Sequence, residues 1–176
     1  MLSVYCDGSS SGGGGFGPGG YGWIIVRGEK VLRWGCGGSP ATTNNLQEAE
    51  AAIQGLSALG GLRLPQENVE LVSDSQYTLC IANRVYHPSA NLEQARKLIQ
   101  AADTVGVYRF RWVKGHSGDQ FNELCDFLAK SGKMDHTPED MKPAKTKKSL
   151  RRERRKGVRD ATSSKGSGSS GQPGDS

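Results

Sequence analysis

Three β-patterned segments stand in a row at the start of the chain, before any helical repeat, and that order narrows the fold more than any other feature. Residues 2–6 read as a strand ending at Asp7, residues 8–20 as a glycine-rich loop, and residues 21–26 and 30–36 as two strands joined through Arg27-Gly28-Glu29. The last pair has the pattern of a hairpin. Leu46, Ala49, Ile53, Leu56 and Leu59 then recur at helical spacing, with Asn44 or Asn45 expected to cap that helix and Gly60-Gly61 to stop it. From there strand and helix patterns alternate: a strand at 69–73 running into Asp74, a short helix at 75–85, a break at Pro88, a helix marked by Leu92, Ala95, Leu98 and Ile99, a strand at 107–113 and a last helix at 121–131. The order is β-β-β-α-β-α-α-β-α. If the first strand and the strand before Asp74 are parallel neighbours, a right-handed crossover sets Asp7 and Asp74 side by side at their carboxyl ends. That is the edge at which open α/β sheets bind ligands.

Charge divides the chain in two. Residues 1–141 carry 12 basic and 15 acidic side chains, net −3, whereas residues 142–176 carry 11 basic and 3 acidic, net +8. The first part is long enough to bury a core. The second has only Leu150 and Val158 as large apolar residues, too few to offset the cost of ordering it. We therefore expect one folded domain at 1–135 and a disordered tail at 136–176, basic through 142–159 and then Gly/Ser-rich. No apolar run reaches the roughly 18 residues of a membrane span, and a charge appears by Asp7, which argues against a signal peptide. Cys6, Cys36, Cys80 and Cys125 are widely spaced with no C-x-x-C, as expected of four small buried thiols in a reducing compartment rather than a zinc site.

Four acids invite more attention than the rest. Asp7 and Asp74 stand at strand ends, Glu48 lies in the first turns of a helix off its apolar side, and Asp126 sits between Leu124 and Phe127. An acid among core residues costs free energy unless something pairs with it, and basic residues in the first 141 are few. Four convergent oxygens suit Mg²⁺, a hard cation; singly, each acid can equally be a cap or a solvated charge. The run Gly12-Gly13-Gly14-Gly15-Phe16-Gly17 matches G-x-G-x-x-G, but a strand pattern follows it, not the helix that a dinucleotide site needs.

Five blocks, in order across residues 2–130, resemble type 1 ribonuclease H. They are Tyr5-Cys6-Asp7-Gly8-Ser9; Pro18-Gly19-Gly20-Tyr21-Gly22; Thr42-Thr43-Asn44-Asn45-Leu46-Gln47-Glu48; Ser73-Asp74-Ser75-Gln76-Tyr77; and Trp112-Val113-Lys114-Gly115-His116-Ser117-Gly118 with Asn122-Glu123-Leu124-Cys125-Asp126. The resemblance implies an α/β fold with a mixed five-stranded sheet, its first three strands antiparallel, flanked by helices. It implies an endoribonuclease that cleaves the RNA strand of RNA/DNA hybrids and leaves 5′-phosphate and 3′-hydroxyl ends. The family holds two divalent ions, Mg²⁺ with Mn²⁺ able to substitute, on positions matching Asp7, Glu48, Asp74 and Asp126, with Asp7 touching both. Glu48 rather than Glu50 fits the motif. His116 matches a loop histidine linked to proton transfer or product departure. Asn44, Asn45 and Gln76 match residues that contact the hybrid's minor groove, where the 2′-hydroxyl separates RNA from DNA, and Thr43 matches one that holds a DNA phosphate.

Three departures stand out. The glycine loop is about two residues longer than in bacterial members. The segment 83–91, where many members carry a basic protrusion, is short and has Arg84 as its only Lys or Arg. The basic tail has no counterpart in the minimal domain, and 142–159 is expected to supply a grip on nucleic acid that the short segment lacks. The alternatives are a catalytically quiet hybrid-binding module and a related nuclease acting on DNA. A cytoplasmic monomer without membrane contact is expected.

Overall fold

The computed structural model describes residues 1–12, 15–62 and 67–134. The tail at 136–176, with 142–159 and His136, lies outside these. The observed order is β1 (Leu2–Ser10), β2 (Gly17–Arg27), β3 (Lys30–Thr42), α1 (Asn44–Gly60), β4 (Val69–Ser73), α2 (Gln76–Ala82), α3 (Leu92–Val105), β5 (Val107–Trp112) and α4 (Gln120–Met134). The strands form one sheet in the order β3-β2-β1-β4-β5. β1–β2 and β2–β3 are antiparallel, and β1–β4 and β4–β5 are parallel. This is the mixed sheet expected from the sequence.

The strands are longer than their apolar patterns suggest. Residues 8–10 and 17–20 are strand, and Gly8, Gly19, Gly20 and, just beyond them, Gly22 are paired in the β1–β2 ladder. Glycine weakens a strand intrinsically, yet it permits close approach of another backbone. A Cβ on Gly8 would collide with the backbone of Gln47 and Glu48 in α1, and one on Gly20 with the backbone of α4. On Gly22 it would lie 2.5 Å from the Cys125 carbonyl oxygen. These glycines let helices settle against the sheet, so they read as loop in a one-dimensional pattern and act as strand in three dimensions. The β2–β3 turn is tight: Arg27 pairs with Lys30, and Gly28 takes φ +60°, as the favoured two-residue hairpin turns require of their first central residue.

A core lies on each face. On one side Val4, Cys6, Trp23, Ile25, Leu71 and Leu98 pack with the small buried face of α1, Ala49, Ala51, Ala52 and Leu56. On the other, Tyr5, Ile24, Val26 and Val72 pack against Cys125, Phe121 and Leu128 of α4. Two of the four cysteines, Cys6 and Cys125, are buried; Cys36 and Cys80 are only half-buried, because β3 is an edge strand and Cys80 sits on the outer side of a short helix. Other expectations shift locally. α2 ends at Ala82 rather than 85. The cap of α1 is neither Asn44 nor Asn45 but Thr43, whose backbone is extended and whose Oγ1 accepts from the Leu46 N–H. Among the described residues no helix is long and apolar enough to cross a membrane.

Candidate active site

Topology gathers the acids. The β1–β4 ladder ends at Tyr5↔Val72, while β1 continues to Ser10 along β2. Asp7 therefore does not close its strand, as the sequence suggests. It lies inside β1, just past the point where its β4 neighbour turns away, and it is 7% exposed. Asp74 follows the end of β4, Glu48 is in the first turns of α1, and Asp126 is in the first half of α4. All three raise the Asp7 carboxyl electrostatically. Burial is the larger cause, and together, against a Gly8 N–H bond of 2.7 Å, they push it up to about 7. Glu48 is also raised, by burial first and by Asp74, with the Ser75 hydroxyl opposing.

Each of the other acids has its own partners. Glu48 accepts from Ser75 Oγ at 2.5 Å and from Asn44 Nδ2 at 2.7 Å. Glu50 faces away, toward Gln54 and toward Gln94 of α3. Asp74 Oδ2 accepts from Asn122 Nδ2 at 3.4 Å, and the Asp74 carbonyl accepts from Trp112 Nε1 at 2.9 Å. Asp126 is paired with Lys130, one helical turn on, at 2.5 Å; the expected shortage of cationic partners thus does not hold for it. Among the described residues no three Asp, Glu, His or Cys side chains stand close enough to form a ready-made metal site.

The remaining residues singled out from the sequence surround this edge. Asn44 and Asn45 are exposed at the start of α1 and Gln76 at the start of α2. Thr43 spends its hydroxyl on the α1 cap. His116 is exposed in the loop between β5 and α4, at φ +53°. That loop leans on the acids: a Cβ on Gly115 would fall 2.7 Å from Asp74 Oδ2. Sequence reasoning assigned no role to Ser75, Asn122 or Lys130. The first two lie inside motif blocks, but serine and asparagine are too common for type alone to mark them. Lys130 is signalled only by its spacing of four from Asp126.

Behind the acids, on the α4 face, Glu70 is buried and anchors two cations. Arg111 Nε lies 3.0 Å from its Oε2 and Arg109 Nε 3.3 Å from its Oε1. Arg111 also donates to the Tyr5 hydroxyl at 2.8 Å. The network ties β1, β4 and β5 together beneath the edge that carries Asp7 and Asp74.

The family described as RNase H matches residues 1–134. A ribonuclease H of Phenylobacterium zucineum is 39% identical over 142 residues, 73% of this chain and 88% of that protein. The RNase H1 of Halobacterium salinarum has a crystal structure that superposes with a TM-score of 0.62 at 26% identity, over 77% of this chain and 98% of that one. LC11-RNase H1 in complex with an RNA/DNA hybrid shares the fold at a TM-score of 0.62 and 24% identity, over 74% and 98%. The chain belongs to the type 1 ribonuclease H family, a family of hydrolases.

Proposed function

We propose that this protein is an endoribonuclease that hydrolyses the RNA strand of RNA/DNA hybrids, leaving 5′-phosphate and 3′-hydroxyl ends. The observation that carries the reading is the electrostatics of one sheet edge: the Asp7 carboxyl is raised by burial and by Asp74, Asp126 and Glu48, acids that lie near it without forming a ready-made ion cage. Such a site gains most from a bound cation of high charge, and its oxygen donors are the hard ligands that Mg²⁺ prefers. Asp7, Glu48, Asp74 and Asp126 would hold two such ions, Mg²⁺ or Mn²⁺, which supply an activated water and stabilise the leaving 3′ oxygen. The hybrid-bound LC11 protein of the same fold supports the substrate class.

The chain's own residues have separable tasks in this reading. Asp7 gives up its proton before it can serve. Ser75 and Asn44 hold the Glu48 carboxylate in place. Asn44, Asn45 and Gln76, exposed on two neighbouring helix starts, contact the hybrid in its minor groove and sense the 2′-hydroxyl. Thr43 shapes that surface through its cap and contacts the DNA strand. His116, on an exposed loop against Asp74, exchanges a proton with the departing product. Residues 142–159 add electrostatic grip. The enzyme acts as a cytoplasmic monomer.

Incubation of an end-labelled RNA/DNA hybrid with the protein in Mg²⁺, beside Asp7→Asn and an EDTA arm, tests the reading. We expect metal-dependent cutting of the RNA strand alone, absent in the variant, with hybrid binding kept. Hybrid binding without cleavage by the unaltered protein would replace this reading with that of a binding module. Cutting of duplex DNA at a comparable rate would replace it with that of a DNA nuclease.

A further inference from the structure

Asp74 is held on three sides. Its carbonyl accepts from Trp112 Nε1 at 2.9 Å. The Gly115 backbone packs so near Oδ2 that a Cβ there would lie 2.7 Å away. From α4, Asn122 Nδ2 reaches the same Oδ2 at 3.4 Å, and among the described residues no other side chain donates to this carboxylate. Asn122 is 3% exposed. Its backbone N–H is fixed by Asp119 Oδ1 at 3.1 Å, so the side chain leaves a well-anchored turn. Its own Oδ1 is buried and has no hydrogen-bond partner.

That last fact separates stability from function. A buried amide oxygen without a partner costs free energy, and that cost offsets what the Nδ2 hydrogen bond to Asp74 contributes to stability. Turning the amide over would not help, since it would set Oδ1 against the Asp74 carboxylate. The chemistry of the acid edge explains the choice. A Lys or Arg at this position would neutralise Asp74 and compete for any cation it binds. A neutral N–H donor orients the carboxylate and leaves its charge intact, the usual task of groups behind a metal-binding carboxylate.

The geometry points to Asn122 as a positioning residue: it aims the Asp74 carboxylate for the cation, at the expense of an unsatisfied oxygen of its own. The inference rests on the proposed metal-dependent reading, and Asn122 itself touches neither cation nor substrate.

The test is Asn122→Leu, nearly the same volume without donor or acceptor. Three readouts are taken: thermal melting, Mn²⁺ binding by electron paramagnetic resonance without hybrid, and steady-state cleavage in Mg²⁺. We expect a melting temperature equal to or above that of the parent, Mn²⁺ affinity reduced about 10–100-fold as for other groups behind metal ligands, and kcat reduced with the KM for hybrid unchanged. A threefold or greater loss of Mn²⁺ affinity without loss of stability counts for the inference. A loss below threefold overturns it. So does a melting temperature lowered by more than about 5 °C, roughly 1–2 kcal/mol for a domain of this size, which would make Asn122 structural. Asn122→Ala repeats the comparison in case leucine does not fit. If the parent protein neither binds Mn²⁺ nor cuts hybrid, the functional reading fails and takes this inference with it; a competent parent with a parent-like variant removes the inference alone.

Discussion

Burial, with Asp74, Asp126 and Glu48 nearby, pushes the Asp7 carboxyl from an ordinary 3.8 up to about 7 in the folded protein. Between those values the folded state binds more protons than the unfolded chain, so stability falls as pH rises. This contribution is fully present below about pH 4 and is lost through pH 7. At about 1.4 kcal/mol per pH unit, it amounts to on the order of 4 kcal/mol at pH 8. Asp7→Asn removes the cost, and melting in EDTA is expected to show it several degrees more stable than the parent at pH 8, the gap narrowing toward pH 5. A gap that is constant with pH would show that Asp7 does not titrate in that window. Gly115 acts by what it lacks. Gly115→Ala would push a methyl against Asp74 Oδ2 and is expected to lower kcat tenfold or more, with hybrid binding measured in EDTA kept. An active alanine variant would mean that the loop gives way. Asp74 was legible as a strand-end acid and Asp7 as an acid beside an apolar strand, though not as lying inside it; Ser75 and Asn122 were not legible, because their roles depend on which carboxylates they face.

The helix that carries Glu48 begins at Thr43, not at the asparagines that follow. Thr43 has the extended backbone of a cap, while Asn44 and Asn45 are already helical and keep their side chains on the surface. Loss of a capping oxygen costs about 1 kcal/mol. Thr43→Ala is therefore expected to lower the unfolding free energy obtained from urea titration by that amount, and Thr43→Ser to restore it. If alanine costs no stability but weakens hybrid binding, the hydroxyl belongs to the substrate instead. Helix–sheet contact depends on the glycines of β1 and β2. Gly22→Ala would place a Cβ 2.5 Å from the Cys125 carbonyl oxygen, and overpacking of this kind costs roughly 1–3 kcal/mol. A thermal melt checks it, and an unchanged melting temperature would show that α4 can shift outward. The strand pattern of residues 8–20 was illegible for this reason. Their task is to lack side chains, and a reading based on apolar alternation sees only a loop.

Residues 1–141 carry net −3 and residues 142–176 net +8, so binding of a polyanion as proposed would be opposed by the first part and favoured by the second. If 142–159 neutralises about five phosphates, the slope of log K against log salt steepens by about 4–5. Truncation after Met141 is expected to flatten that slope and weaken hybrid binding at low salt, with kcat at saturating hybrid unchanged. Equal slopes for the two forms would show that the tail does not touch the hybrid.

Periodicity and punctuation by themselves determined the element order, because alternation and helical spacing are local properties of the chain, while the mixed sheet and the set of four acids were legible through the motif blocks that resemble the family. Only the tertiary structure decided that Asp7 lies inside its strand, that Lys130 already holds Asp126, and that Asn122 backs Asp74. Each of these depends on where the β1–β4 ladder stops and how closely α1 and α4 approach the sheet. Those distances are set by packing between residues far apart in sequence, and no local pattern encodes them.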